Sequence, residues 1–373
     1  MYLEKIMVKN FRNLKDVLLD LNPALNIFIG ANGQGKTNLL EAIYFLATAD
    51  SHRTSIDREL INWQAEVALL QIKLNKKEQE IKISLQLESS NKEVKVNDNP
   101  LKKISDLMGN LNVVLFSPED LQLVKGSPSN RRKFINIEIS QVSSYYYYLL
   151  KKYEHVLKQR NNLLKDIREN RKKDRLQMLS VWDEQLIKLG SKIIKKRLEV
   201  VKKINILARL KQRQITDGTE NLYVGYECSL DRLEEENDDI EVIFRDKLVN
   251  NRDKEIRRGY TITGPHRDDL ILKINDMDIR KYGSQGQQRT TALALKLAEL
   301  EFMKSETGEY PVLLLDDVFS ELDKKRRKTL LEIIVKNIQT FITTTEFREI
   351  SEYEMDSGYI FQVECGKIKR RKG

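Results

Sequence analysis

Eight consecutive residues, Gly30-Ala31-Asn32-Gly33-Gln34-Gly35-Lys36-Thr37, have the types and order needed to hold a polyphosphate. They fit the pattern G-x-x-x-x-G-K-[ST] without a mismatch. Glycines let the backbone turn so that successive N–H groups point at phosphate oxygens. A helix starting just after them adds its positive N-terminal dipole. Lys36 then reaches the β- and γ-phosphates, and the Thr37 hydroxyl joins the shell of a Mg²⁺ ion. Far along the chain, Pro311-Val312-Leu313-Leu314-Leu315-Asp316-Asp317 reads as an apolar strand ending in two carboxylates. Asp316 is placed to hold Mg²⁺, directly or through water, and Asp317 to orient an attacking water. Together the two stretches predict ATP and Mg²⁺ as cofactors.

A third stretch, Ser284-Gln285-Gly286-Gln287, opens a helix about 30 residues before the acidic strand. A hydroxyl, backbone N–H groups and a helix dipole there would suit an anion. Ser320-Glu321-Leu322-Asp323 forms an acidic turn just after that strand.

The elements that must position these groups follow from periodicity. Leu3 to Val8 and Leu25 to Ile29 read as strands, and Leu39, Ala42, Ile43 and Leu46 mark the helix after the Gly-rich loop. Residues 67 to 97 alternate as antiparallel strands do, and Val113 to Phe116 is one more strand. From Pro128 to Gln212 the period changes to that of two or three long amphipathic helices, with Leu186, Leu189, Ile193, Leu198 and Val201 on one stripe. A further helix is expected from Ile240 to Arg257, following an acidic stretch at 231–241. Strands are expected at Tyr260 to Thr263, Leu270 to Ile274 and Thr340 to Thr344, and a helix from Ser284 to Phe302.

The Gly-rich loop and the acidic strand must meet at one phosphate, so both chain ends belong to one α/β head. Residues 1–130 form its N-terminal part, 131–257 an inserted basic helical lobe and 258–373 its C-terminal part. The chain has 373 residues, 32% of them charged, and no apolar run long enough to span a membrane. Two isolated cysteines and three histidines speak against a disulfide framework or a Cys/His zinc site. These features predict a cytoplasmic protein. The net charge of +9 is unevenly spread: Arg131 to Arg213 holds 23 basic and 8 acidic side chains, which leaves the remainder net acidic. A polyanion-binding face is therefore expected on the lobe. Its candidates are Arg131, Arg132, Lys192, Lys195, Lys196, Arg197, Lys202 and Lys203, with Tyr145 to Tyr148 as possible base-stacking groups.

The order of these motifs resembles that of the ABC-type ATPases. In that superfamily the signature motif of one head, here Ser284 to Gln287, caps the γ-phosphate held by the loop of another. The opening Val8-Lys9-Asn10-Phe11-Arg12-Asn13 resembles the SMC-like branch. Ser51-His52-Arg53-Thr54, the stretch Pro118 to Phe134, Thr263-Gly264-Pro265-His266-Arg267-Asp268 and Val318 to Asp323 resemble, within that branch, a family of bacterial recombination mediators.

The resemblance implies an ABC-type P-loop head with an inserted helical lobe, and an ATP-dependent protein of recombinational repair, replication and the SOS response. It implies binding to single-stranded, gapped or duplex DNA, an ATP-dependent homodimer, and RecR and RecO as partners. Ser320 and Asp323 would belong to its Asp-rich turn, and Arg12, His52 and Arg53 would lie near the nucleotide or DNA.

Three departures stand out. Ser117-Pro118-Glu119 replaces the Gln after one core strand, and Thr343-Thr344-Thr345 replaces a His, leaving a hydroxyl to touch the γ-phosphate. Asp317 stands where ABC heads carry Glu, one methylene longer, which implies slow hydrolysis. His266, Asp268 and Asp269 look like metal ligands on paper, but hydrogen-bonded structure is the stronger expectation. The competing functions are the ATPase subunit of a membrane transporter and a short structural chromosome-arm ATPase. The basic insert and the missing His oppose the first, and the shortness of the insert opposes the second.

Overall fold

The computed structural model describes the chain except residues 90, 171–175, 231–238, 320–321, 335–337, 346–357 and 372–373. The chain divides into two compact units, one of Met1–Leu121, Gln214–Asp217 and Ala292–Gly373, the other of Gln122–Arg213 and Gly218–Thr291.

The first unit holds two six-stranded sheets. One is antiparallel and is built from β1 (Tyr2–Phe11), β2 (Leu14–Asp20), β4 (Val67–Lys76), β5 (Gln79–Glu88), β6 (Lys92–Val96) and β7 (Asn99–Pro100), in the order β2-β1-β4-β5-β6-β7. In β1, β4 and β5 the buried apolar residues fall mainly at alternate positions, as a sheet with one face in the core requires. The other sheet contains β3 (Leu25–Ile29), β8 (Val113–Phe116), β12 (Val312–Asp316), β13 (Thr340–Thr344), β14 (Tyr359–Glu364) and β15 (Lys367–Arg370), in the order β15-β14-β3-β13-β12-β8. All its pairings are parallel except β14 with β15. Strands β3, β8, β12 and β13 are buried at every residue, as the unbroken apolar runs Val113 to Phe116 and Val312 to Leu315 require. Both chain ends thus build one sheet. Helix α1 (Lys36–Thr48) packs against strands of both sheets and is buried around most of its circumference.

The second unit is mostly helical. It contains most of α2 (Leu121–Lys125), α3 (Pro128–Val142), α4 (Ser144–Asn170), most of α5 (Leu176–Ile215), α6 (Ile240–Arg258) and α7 (Ile279–Tyr282), with a small sheet β11-β10-β9 made of β9 (Leu222–Glu227), β10 (Asp269–Ile274) and β11 (Met277–Asp278). The expected apolar stripe of α5 is internal at Leu186, Ile193 and Val201. Gly190 sits mid-helix because a Cβ there would lie 2.5 Å from the Phe244 ring and 3.1 Å from the Tyr153 ring. Among the described residues, no helix is long and apolar enough to cross a membrane.

Residues Tyr260 to Thr263 are not a strand. Side chains replace a ladder there: the Thr261 N–H donates to Asn161 Oδ1 at 2.8 Å and the Ile262 N–H to Glu255 Oε1 at 2.8 Å. The acidic stretch 231–238 lies outside the described residues.

Candidate nucleotide site and basic face

Parallel pairing brings the phosphate loop and the acidic strand together. Strand β13 lies between β3 and β12, with Thr343 opposite both Phe28 and Asp316. The C-terminal ends of β3 and β12 therefore open onto one edge, where open α/β sheets bind ligands. The loop Gly30 to Gly35 leads from β3 into α1. Gly35 has φ +116°, a conformation L side chains rarely adopt, and a Cβ there would lie 2.7 Å from Asn13 Oδ1.

The loop is braced from two sides. Asn13 Nδ2 donates to Gly33 O at 3.4 Å, and Asn38 Nδ2 donates to Asn13 Oδ1 at 2.8 Å. Opposite, the Cys365 N–H donates to Gln34 Oε1 at 2.6 Å and the Gly366 N–H to Gln34 O at 2.9 Å. Sequence reasoning reaches Asn13 only through the family resemblance and misses the hairpin at Cys365-Gly366. The signal for that hairpin is the two-residue Cys-Gly turn between short strands.

Lys36 is buried, and its ammonium donates to Gly30 O at 2.6 Å and Ala31 O at 3.0 Å. Burial lowers its pKa, while the nearby Asp317 and Asp316 oppose that. Thr37 Oγ1 donates to Asp316 Oδ1 at 2.9 Å, across 279 positions of sequence. These oxygens fit Mg²⁺ in chemistry and spacing: neighbouring ligands of an octahedral ion with bonds of about 2.0–2.1 Å stand about 2.9 Å apart. Such an ion, held by Thr37 and Asp316, would neutralise charge on the phosphate oxygens of the nucleotide.

Asp317 follows with φ 52°. Its N–H donates to Thr343 O at 3.2 Å and Thr343 Oγ1 at 3.0 Å, and Thr343 Oγ1 donates to Asp316 Oδ1 at 2.7 Å. Of the three threonines in the place of the absent His, Thr343 is fully buried and its hydroxyl is engaged by the two aspartates. At the place of the absent Gln, Ser117 and Asp120 form a capping box, with the Ser117 N–H on Asp120 Oδ2 at 2.7 Å. Burial pushes Asp120 up to about 6, against the pull of Lys296.

Beside the loop, the buried carboxylate of Glu41 gathers donors from three residues. Arg12 Nη2 lies 2.9 Å from Oε1, Arg53 Nη1 3.2 Å from Oε2 and Ser51 Oγ 2.6 Å from Oε1. Burial disfavours the Glu41 charge, but these partners outweigh it and hold its pKa below the ordinary value. The His52 ring packs edge-on against Tyr44 at 5.3 Å.

In the second unit, Ser284 caps α8 (Gln285–Thr307) reciprocally. The Gln287 N–H donates to Ser284 Oγ at 3.2 Å and the Ser284 N–H to Gln287 Oε1 at 3.0 Å. Ser284 and Gln285 are exposed, and Gly286 and Gln287 half-buried. In the first unit, Asp323 opens α9 (Lys324–Ile334) by accepting from the Arg326 N–H at 2.9 Å. Ser320 and Glu321 lie outside the described residues.

The basic candidates separate into two groups. Lys192, Lys195, Lys202 and Lys203 are exposed on α5, and Lys192 Nζ donates to the exposed Tyr145 hydroxyl at 3.4 Å. Lys196 is half-buried and pairs with Glu199 at 2.9 Å. Arg131 and Arg197 are corrections, because both are 2% exposed. Arg131 Nε pairs with Asp269 at 2.7 Å, and Arg197 donates to Pro265 O at 2.6 Å and Asn136 Oδ1 at 2.8 Å. Burial opposes the Arg197 charge, yet Tyr146, Tyr226 and Asp268 raise its pKa above the ordinary value. Arg132 is half-buried, with Nη1 on Asp268 O at 2.8 Å. Of the four tyrosines, Tyr146 is buried and Tyr147 and Tyr148 half-buried, so Tyr145 alone is an exposed aromatic.

His266 belongs to the same polar interior, where both ring nitrogens have protein partners. Its Nδ1 lies 2.6 Å from the Tyr153 hydroxyl and its Nε2 3.2 Å from Thr261 O. Burial, with Arg267, Arg132 and Arg160 adding to it, lowers its pKa to about 3. The unfolded state therefore binds a proton that the folded state refuses between about 6.5 and about 3. This contribution to stability should be whole above pH 6.5 and decline as pH falls through that window. Urea unfolding against pH should show the decline, and His266→Asn should flatten it; an equal slope in the variant contradicts the assignment.

The family model described as the RecF/RecN/SMC N-terminal domain matches residues 2–367. The chain is similar to the DNA replication and repair protein RecF of Halothermothrix orenii, 58% identical with 100% of both chains covered. It is 47% identical to that of Alkaliphilus oremlandii, over 99% of this chain and 100% of the relative. Its structure is similar to that of the recombination mediator protein RecF with ATP in the RecFOR pathway, with TM-score 0.91, 37% identity and 100% and 98% coverage. The Smc head domain of Pyrococcus furiosus, bound to the C-terminal domain of ScpA, shares the fold at TM-score 0.54 and 18% identity, over 99% and 96% of the two chains.

Proposed function

Because the chain belongs to the RecF proteins of the RecF/RecN/SMC N-terminal domain family, we propose that it is an ATP-dependent DNA-binding mediator of recombinational repair and replication in the RecFOR pathway. The observation that carries this reading is the bond from Thr37 to Asp316, which unites the phosphate loop and the acidic strand into one nucleotide site. There Lys36 and the loop N–H groups bind the β- and γ-phosphates, Thr37 and Asp316 hold Mg²⁺, and Asp317 orients water for a slow hydrolysis. Ser284 to Gln287 of one copy cap the γ-phosphate held by a second copy, so ATP joins two heads and hydrolysis parts them. Asp323, of the Asp-rich turn expected just after the acidic strand, lies in the same unit as the phosphate loop. The slow ATPase acts as a timer for DNA binding in the cytoplasm, with RecR and RecO as partners. The RecFOR pathway of the solved RecF relative supports those partners, and a role in the SOS response is part of the same proposal.

DNA lies on the exposed face of α5. Lys192, Lys195, Lys202 and Lys203 recur there at helical spacing, with Tyr145 beside Lys192. Replacing these four lysines by Gln should weaken DNA binding at every sequence and flatten its salt dependence, by about 0.9 of a slope unit for each duplex phosphate that is no longer neutralised. Fluorescence anisotropy across a salt series, with single-stranded, gapped and duplex probes, measures this. An unchanged slope returns the lysines to an ordinary solvated helix face. Arg131→Gln, by contrast, should lower stability, because it leaves the largely buried Asp269 without its guanidinium.

A further inference from the structure

We propose that Thr343 is the positioning residue that sets both aspartates of the nucleotide site, an inference that rests on the ATPase reading above. Strand β13 carries no acidic or basic group, yet it runs between the phosphate-loop strand and the acidic strand. Thr343 faces Asp316 in register. Its hydroxyl has two close partners in the site, with the Leu315 carbonyl farther off at 3.4 Å. The hydroxyl donates to Asp316 Oδ1 at 2.7 Å, the same oxygen that accepts from Thr37 at 2.9 Å. It also accepts from the Asp317 N–H at 3.0 Å, while the Thr343 carbonyl accepts from that N–H at 3.2 Å.

The second interaction acts on backbone conformation. Asp317 has φ 52°, in the left-handed region that disfavours a side chain with a Cβ. A donor pinned by two acceptors of one residue holds the chain there, and so aims the Asp317 carboxylate. The first interaction fixes the rotamer of Asp316 and leaves its Oδ1 shared between two hydroxyls. A ligand held by a second hydrogen-bonding partner keeps its orientation, and losing such a partner weakens metal affinity and turnover. Thr343 is wholly buried, so its hydroxyl serves these neighbours and not solvent.

Thr343→Val keeps the volume and removes the hydroxyl, whereas Thr343→Ser keeps the hydroxyl and removes a methyl group. Positioning requires that Val lowers kcat about 10- to 100-fold, raises the Mg²⁺ concentration for half-maximal turnover, and leaves ATP affinity near the parent's. Ser should restore turnover. A packing role demands the reverse order, with Val silent and Ser the damaged variant. The measurements are ATP turnover against Mg²⁺ concentration, with ATP affinity read separately by fluorescent-analogue titration. If Thr343→Val does not fold, Thr343→Ala against Thr343→Ser gives the same contrast. Parent-like turnover and Mg²⁺ dependence in the variants that lack the hydroxyl overturn the proposal. A parent that binds no ATP overturns the ATPase reading, and the proposal with it.

Discussion

Lys36→Ala should lower ATP affinity about a hundredfold, because it removes charge-assisted hydrogen bonds to the β- and γ-phosphates worth up to about 3 kcal/mol. In the structure Lys36 is buried with its ammonium on the Gly30 and Ala31 carbonyls. Both of those hydrogen bonds disappear, but a desolvated cation is removed with them, so the net effect on stability should stay within about 1–2 kcal/mol. The P-loop remains braced by Asn13 and by the Cys365-Gly366 turn. Titration with a fluorescent ATP analogue, alongside thermal unfolding without nucleotide, separates the two effects. Affinity within a factor of about three of the parent's, well under half the energy of one such bond, would remove the phosphate role of Lys36.

What could be read from the sequence and what could not follow from where each interaction is encoded. The phosphate loop is contiguous, and its glycines, lysine and threonine act through backbone geometry that eight residues specify locally. The acidic strand was legible for a similar reason: four buried apolar residues end in carboxylates. The structural roles of Thr343, Asn13 and Glu41 were not, because they come from pairing distant segments. Nothing in Thr340 to Thr344 states that the strand lies between β3 and β12.

Charge misled in a specific way. Counting basic residues located the helical lobe, but not which of them face inward. For Arg197 a signal was present. It stands four residues from both Ile193 and Val201, on the apolar stripe expected in the core, and all three are buried. Arg131 is likewise one turn from Phe134 and Ile135, which are buried with it. Periodicity outranks charge at such positions, because a helix cannot turn one residue of its buried face to solvent. The opposite error came at Tyr260 to Thr263, where β-branched residues suggested a strand and side-chain acceptors from Asn161 and Glu255 took the backbone donors instead.

Ser284→Arg should abolish ATP-dependent assembly and hydrolysis together while each chain still binds ATP. Within one chain, Ser284 does no more than cap α8, so losing the cap should cost about 1 kcal/mol and leave the fold intact. Gly30 to Thr37 are untouched, so ATP affinity should stay near the parent's. In the joined state the Arg side chain would fill the space of the γ-phosphate on the partner copy and keep the two heads apart. Mixing with Lys36→Ala sharpens the contrast, since each variant supplies the half the other lacks. Some turnover should return in the mixture if one complete site suffices.

Sedimentation velocity of the parent and of Ser284→Arg, each with and without saturating ATP, is the direct test of a site shared between two copies. The parent should pass from monomer to dimer on adding ATP, and Ser284→Arg should remain a monomer with nucleotide bound. A Ser284→Arg protein that dimerises with ATP as the parent does would contradict it.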